Sequence, residues 1–157
     1  LKSGAFAALI KEAAPSKAVG SPQEVYNIMK PIFSQDDDIE KMYGIFVNQK
    51  NRILSIDLLA TGSINSASVY PREIIKKALD KKAASLILTH NHPSGDPAPS
   101  REDISITKWV TLAMTCIGGT VLDHIIIGAN DYHSFADHGV MRTIEITVKD
   151  IFENRNF

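Results

Sequence analysis

The residues of this chain best suited to chemistry stand in one string, Thr89-His90-Asn91-His92-Pro93-Ser94-Gly95-Asp96-Pro97-Ala98-Pro99-Ser100-Arg101-Glu102-Asp103. In an extended backbone, residues two apart project to the same side, so His90 and His92 can aim both imidazoles at one point. A loop with three prolines and a glycine can then turn the chain so that Asp103, one turn into a following helix, adds a carboxylate to the same ion. Two histidines and one aspartate leave a fourth tetrahedral position open, which marks a catalytic rather than a structural zinc. An ion held in this way polarises a carbonyl and acidifies its water, and that is hydrolytic chemistry. Each part also has a plainer reading. His-x-His recurs without metal, and Ser100-x-x-Asp103 ahead of an apolar run is close to a capping box with Ser100 as N-cap. The conjunction of the pair, the constrained loop and the carboxylate is what favours a metal.

The surrounding pattern supplies elements to hold this string. Leu86-Ile87-Leu88 is an apolar run without polar alternation, as expected of a strand covered on both faces, and it delivers the chain to His90. Ser100 opens a helix in which Ile106, Trp109, Val110, Ala113, Met114 and Ile117 are expected to share a face, with Trp109 in the core, and Gly118-Gly119 ends it. Upstream, Phe6–Ala14 favours helix, Pro15, Gly20 and Pro22 punctuate a turn, and Gln23–Phe33 forms a second helix. Met42–Val47 and Arg52–Ala60, parted by the polar Asn48-Gln49-Lys50-Asn51, read as an antiparallel hairpin. After a loop over Thr61–Ser66, Pro71 suits a first helical turn, and Ile74, Ile75, Ala78 and Leu79 form a stripe ending near Lys82. Val121–Ile127 is a further strand, Tyr132–Phe135 one more, and Ile144–Val148 a last strand or tail. The division expected is an N-terminal helical segment over 1–21, the main domain over 22–139 and a C-terminal tail or extra strand over 140–157. Strands mixed with helices give an α/β sandwich whose His-rich loop leaves a buried strand and enters a helix, a usual location for chemistry.

Composition narrows the function classes. The chain has 157 residues, 44% hydrophobic and 22% charged, enough for one globular domain with a stable core. Seventeen basic against eighteen acidic residues give a net charge of −1, so no overall electrostatic footprint for nucleic acid exists. The single cysteine, Cys116, can build neither a disulfide framework nor a cysteine-based zinc site, which favours a reducing, cytoplasmic setting. No apolar stretch approaches the roughly 20 residues of a membrane-spanning helix, and Leu1–Ile10 lacks the apolar core of a secretory signal, so no membrane partner is expected. A start at Leu1 rather than methionine leaves room for domains upstream.

The spacing His90-x-His92, seven residues, Ser100-x-x-Asp103 resembles the motif of the JAMM (MPN) metalloproteases, and the fuller string His-Asn-His-Pro-Ser-Gly-Asp-Pro-x-Pro-Ser-x-x-Asp is similar to the RadC branch of that family. Tyr70-Pro71-Arg72-Glu73-Ile74 and Leu122-Asp123-His124-Ile125-Ile126-Ile127-Gly128 resemble its other recurrent blocks, so the likeness runs from about Pro22 to about Gly139. The resemblance implies a three-layer αβα fold of the cytidine-deaminase-like kind, a mixed β-sheet flanked by helices. It implies one Zn2+ per chain on His90, His92 and Asp103. It also implies an upstream glutamate as general acid and base, and setting Phe46-Val47-Asn48 against the family's strand-turn segment puts Glu40 there. Taken alone, Glu40 merely extends the acidic run Asp36–Asp38 on a solvated surface. By the same resemblance Ser100 places its hydroxyl near a developing oxyanion, a donor worth about 3 kcal/mol of barrier. The activity implied is a zinc-dependent hydrolase in which metal-activated water attacks an amide or isopeptide bond.

Other residues invite lesser readings. His124, in an apolar strand, is expected to be a hydrogen-bonded core histidine, with Asp123-His124 as support for the site. His133 and His138 read as surface residues, Asp96 as an ordinary turn residue, and Cys116 shows no sign of a nucleophile. The contiguous His-Asn-His is not the dispersed triad of an HNH nuclease, and one cysteine excludes a zinc nucleobase deaminase. Two alternatives remain beside the hydrolase: a DNA-repair-associated module without peptidase activity, for which the Lys76–Lys82 cluster is the basic feature to test, and a structural-zinc interaction domain. The substrate is left open, as is the oligomeric state, a homodimer included.

Overall fold

In the computed structural model, residues 17–154 are described, and the helix expected over Phe6–Ala14 lies outside them. Helix α1, Pro22–Phe33, starts where Ser21 Oγ accepts the Glu24 N–H at 3.3 Å and Pro22 occupies the first turn, where its missing N–H is harmless. Strands β1, Lys41–Val47, and β2, Ile53–Thr61, form the expected antiparallel hairpin. Asn48 closes its turn, its Oδ1 accepting the Lys50 and Arg52 N–H groups at 2.9 and 3.0 Å. Helix α2, Pro71–Lys81, ends at Lys82 in the left-handed region. Strand β3, Ser85–Asn91, helix α3, Arg101–Cys116, and strand β4, Thr120–Ile127, follow as one crossover unit. The short strand β5, Tyr132–Ser134, and helix α4, Val140–Glu153, complete the described chain.

The five strands lie in the order β2-β1-β3-β4-β5, with β3 and β4 parallel and every other pair antiparallel. Alternation along the strands divides the core in two. Met42, Phe46, Leu86, Leu88 and Ile126 pack with Ile74 of α2, Ile106, Val110 and Met114 of α3, and Met141, Ile144 and Val148 of α4. Tyr43, Ile45, Val47, Ile87, Ile125 and Ile127 pack on the other face with Val25, Met29, Ile32 and Phe33 of α1. The result is the expected α/β, three-layer arrangement. Every residue of β3 is buried, which agrees with the apolar run Leu86-Ile87-Leu88 at its centre. No helix among the described residues is long and apolar enough to cross a membrane.

Four local expectations are corrected. Ile144–Val148 is not a strand but the middle of α4, where Met141, Ile144 and Val148 recur at helical spacing and are buried. Its β-branched residues favour strands only weakly, and packing against the rest of the core overrides that preference. Trp109 is 57% exposed rather than core, because the buried stripe of α3 is Asp103, Ile106, Thr107, Val110, Thr111 and Met114, two threonines and an aspartate included. At about 100° per residue Trp109 falls outside that stripe, and Ile117, at the helix end, is exposed as well. Leu79 of α2 also faces solvent, while Ile74 and Ala78 are buried.

Candidate metal centre

Strand parity positions the two histidines. Leu86, Leu88 and His90 project from β3 toward α2–α4, and His92 keeps the same side just past the strand end, where its N–H donates to the Ile127 carbonyl at 3.0 Å. The chain then turns at Gly95, whose φ of +88° suits glycine, and Gly95 O accepts the Ala129 N–H at 3.0 Å. Gly128 lets the loop come this close, since a Cβ there would lie 2.5 Å from Gly95 O. The loop returns at Ser100, the N-cap of α3. Ser100 Oγ accepts the Asp103 N–H at 3.0 Å and Asp103 Oδ2 accepts the Ser100 N–H at 2.8 Å, so the capping box is complete. This box also aims the Asp103 carboxylate, which is only 1% exposed, back toward the end of β3. The bland and the chemical readings of Ser100-x-x-Asp103 are one geometry.

His90 Nε2 and His92 Nε2 stand 2.9 Å apart. Asp103 Oδ1 is 3.1 Å from the first and Asp103 Oδ2 3.2 Å from the second, while Glu40 Oε1 lies 3.8 Å from His90 Nε2. One ligand atom from each of the four residues lies within 4.8 Å of the others. Ligands about 2.0–2.1 Å from a tetrahedral ion sit about 3.3–3.4 Å from one another, so a small shift suits the set to zinc. The donor chemistry fits as well. His92 Nδ1–H donates to the Asp96 carbonyl at 2.9 Å, which leaves Nε2 as the lone-pair nitrogen of the neutral ring. Two imidazole nitrogens and a carboxylate packed this closely repel unless a cation or a shared proton lies among them.

Residues 19–140 match the model of the RadC-like JAB domain. The chain belongs to that family. Among its relatives, the UPF0758 protein of Methanosarcina mazei is 41% identical over 128 residues, covering 82% of this chain and 56% of that protein. The UPF0758 protein of Desulforudis audaxviator is 48% identical over 103 residues, 66% of this chain and 45% of that one, and the protein of Symbiobacterium thermophilum is 37% identical over 140 residues, 88% and 59% respectively. The chain spans about half the length of the curated relatives it matches.

In this RadC-like JAB domain Glu40 is held by a residue whose role its sequence did not disclose. Asn91 Oδ1 accepts the Lys41 N–H at 2.8 Å and Asn91 Nδ2 donates to the Ile39 carbonyl at 3.0 Å. The carboxamide therefore clamps the backbone on both sides of Glu40, and the Glu40 carbonyl accepts the Gly62 N–H at 2.9 Å. Glu40 stays on the rim, its side chain 25% exposed. The signal was present but unread: Asn91 is a polar residue at the end of a buried strand, and in His90-Asn91-His92 it must face away from its neighbours.

The electrostatics follow from crowding. Burial acts to raise the Asp103 pKa, but contact with the His90 and His92 imidazoles and the hydrogen bond from the Ser100 amide overcome it and hold the carboxyl well below the usual range. His92 is raised, chiefly by its hydrogen bond to Asp103, with burial opposing and the Asp96 carbonyl assisting. His124 is pushed well below its ordinary value by burial and then by the His90 imidazole. It is a core histidine, as expected, and its ring touches the site directly, with Nε2 2.7 Å from His90 Nδ1. Asp123 makes no such contact. Its carboxylate accepts from Ser134 Oγ at 2.6 Å and from the His124 and Ala136 N–H groups at 2.7 and 2.9 Å, pinning the chain after β5. His133 and His138 stack with centroids 4.0 Å apart and do not join the cluster; His138 is exposed and His133 half-buried. Asp96 is a turn residue whose Oδ1 accepts the Ala98 N–H at 3.0 Å, yet its carbonyl orients His92. Cys116 is exposed at the end of α3.

Proposed function

We propose that this domain is a zinc-dependent hydrolase of the JAMM metalloprotease class, acting on an amide or isopeptide bond. The observation that carries the reading is the convergence of His90, His92 and Asp103 within 3.2 Å, with the Glu40 carboxylate just beyond on the open side. His90, His92 and Asp103 would hold the ion. When bound, zinc supplies a Lewis acid that polarises a carbonyl and eases loss of a proton from water.

The chain's own groups complete the chemistry. Hydrolysis joins the water oxygen to the carbonyl carbon and breaks the C–N bond, and Glu40 accepts the water proton and returns it to the leaving nitrogen. The clamp on Ile39 and Lys41 keeps that carboxylate from swinging away. Ser100 Oγ is the acceptor in its cap bond, so its own hydrogen remains available to a developing oxyanion. Two lysines of the basic cluster weighed for DNA binding, Lys77 and Lys81, lie 4.0 and 3.3 Å from Asp57, so part of its charge is offset locally.

Metal analysis of reconstituted protein, joined to a screen of peptide and isopeptide substrates with Glu40→Gln as control, tests the reading. The expected result is about one zinc per chain and chelator-sensitive cleavage absent from the control. Protein that takes up no zinc, or cleavage that survives in Glu40→Gln, overturns it.

A further inference from the structure

The imidazole of His90 must present a bare Nε2 to any ion, and the structure shows how that proton arrangement is set from a distance. Three hydrogen bonds run inward from His90 through wholly buried side chains. His90 Nδ1 lies 2.7 Å from His124 Nε2, His124 Nδ1 lies 2.7 Å from Thr107 Oγ1, and Thr107 Oγ1 lies 2.6 Å from the backbone carbonyl of Asp103. His90, His124 and Thr107 are each 0% exposed, so no solvent enters this line.

The direction of every bond follows from its last member. A carbonyl oxygen only accepts, so the single Thr107 hydroxyl hydrogen points at Asp103 O. Thr107 Oγ1 is then an acceptor toward His124, and the proton of His124 is on Nδ1. Its Nε2 carries the lone pair and accepts from His90 Nδ1–H. His90 Nε2 is left unprotonated, facing His92 and Asp103. The opposite polarity would set two oxygens 2.6 Å apart with no hydrogen between them and would put a proton on His90 Nε2, in the middle of the cluster.

We propose that Thr107 and His124 are positioning residues that fix the tautomer and ring orientation of His90, and that the carbonyl of Asp103 is the fixed end of the relay. Asp103 thus acts twice, as a carboxylate in the cluster and, through its backbone, as the group that orders the protons behind a neighbouring ligand. The fold makes this economical. Thr107 is one turn after Asp103 on the same helix, and β4 lies parallel to β3, so that His124 stands opposite Leu88 and one step from His90 on the same face. The consequence for metal binding rests on the zinc reading; the proton arrangement itself does not.

The test reads ring protonation directly in the metal-free protein. With nitrogen-15 histidine labels, long-range proton–nitrogen spectra of wild type, Thr107→Val and Thr107→Ser report which nitrogen of each ring bears hydrogen, and competition with a chromophoric chelator reports zinc affinity. The wild type is expected to show His124 and His90 both protonated on Nδ1, with His90 Nε2 bare. Thr107→Val removes the acceptor and should release His124 toward the Nε2–H form and weaken zinc binding about 10–100-fold, whereas Thr107→Ser restores both. A wild-type spectrum with the proton on His90 Nε2 overturns the proposal even if the valine variant fails to fold, and so does a valine variant with unchanged tautomers and affinity. Failure of wild type to bind zinc, with the expected tautomers present, would instead remove the hydrolase reading and leave the relay standing.

Discussion

Asn91 holds Lys41: its side-chain oxygen accepts the Lys41 N–H at 2.8 Å, across 50 positions of sequence, while its amide secures the Ile39 carbonyl. The middle residue of His-Asn-His thus serves Glu40 from one side of the strand end while its neighbours serve the ion from the other. Asn91→Ala leaves a half-buried N–H without its partner and should cost about 1–3 kcal/mol in urea unfolding. Zinc stoichiometry should be unchanged, because both imidazoles and the Asp103 cap are untouched. Loss of zinc in this variant would show that Asn91 shapes the ligand set rather than the Glu40 segment.

Glu40→Gln and Asp103→Asn should separate proton transfer from metal binding. The first keeps every proposed ligand, so zinc uptake persists while hydrolysis falls on the order of 10²–10⁴-fold. In the second, a carboxamide still accepts the Ser100 N–H, so α3 starts normally and the fold survives. Its lost charge should cost the metal. Circular dichroism with metal analysis on both variants reads the difference.

The contribution of the Asp103–His92 pair to the stability of the metal-free protein should fall on both sides of an intermediate pH. Asp103 has a folded pKa below its unfolded value of about 3.9, so its contribution is present above that pH and is lost as pH drops toward the folded value. His92 has a folded pKa raised above about 6.5, so its contribution is full below that pH and disappears as pH climbs through the raised value. The stability difference between wild type and Asp103→Asn, read from thermal unfolding in the presence of chelator, should therefore be largest between about pH 4 and 6.5 and shrink on either side. A difference that does not change with pH would contradict the Asp103–His92 pairing.

Gly128→Ala places a methyl carbon 2.5 Å from the Gly95 carbonyl and 2.9 Å from Pro97 Cδ. The nearest atom is backbone, so the His92–Pro99 loop must move. Zinc binding should weaken through His92, with unfolding free energy lower by about 1–3 kcal/mol. Titration of the variant beside Gly62→Ala, where a Cβ meets nothing within 4 Å though φ is +88°, controls for general backbone strain.

Much of this architecture was legible in one dimension. An apolar run that must be a covered strand, a helix begun at Ser100, and an odd-even relation between His90 and His92 are local statements, because strand alternation and helix capping depend only on near neighbours. Glu40 is different: it was placed by family resemblance, since nothing within several residues of it distinguishes a general base from a solvated acid. Trp109 was misplaced because the inner stripe of α3 carries Asp103, Thr107 and Thr111. Polar residues on a buried face are invisible to a hydrophobic pattern when their partners lie elsewhere.

The sequence by itself determined which side chains could bind an ion and which elements would present them. Only the tertiary structure decided how those side chains are held. The Asn91 clamp joins positions 50 apart, and the line from His90 through His124 to Thr107 joins two strands and a helix. The physical reason is that a ligand's type is a property of its own atoms, whereas its tautomer and orientation belong to whatever donor or acceptor the folded chain brings against its far side.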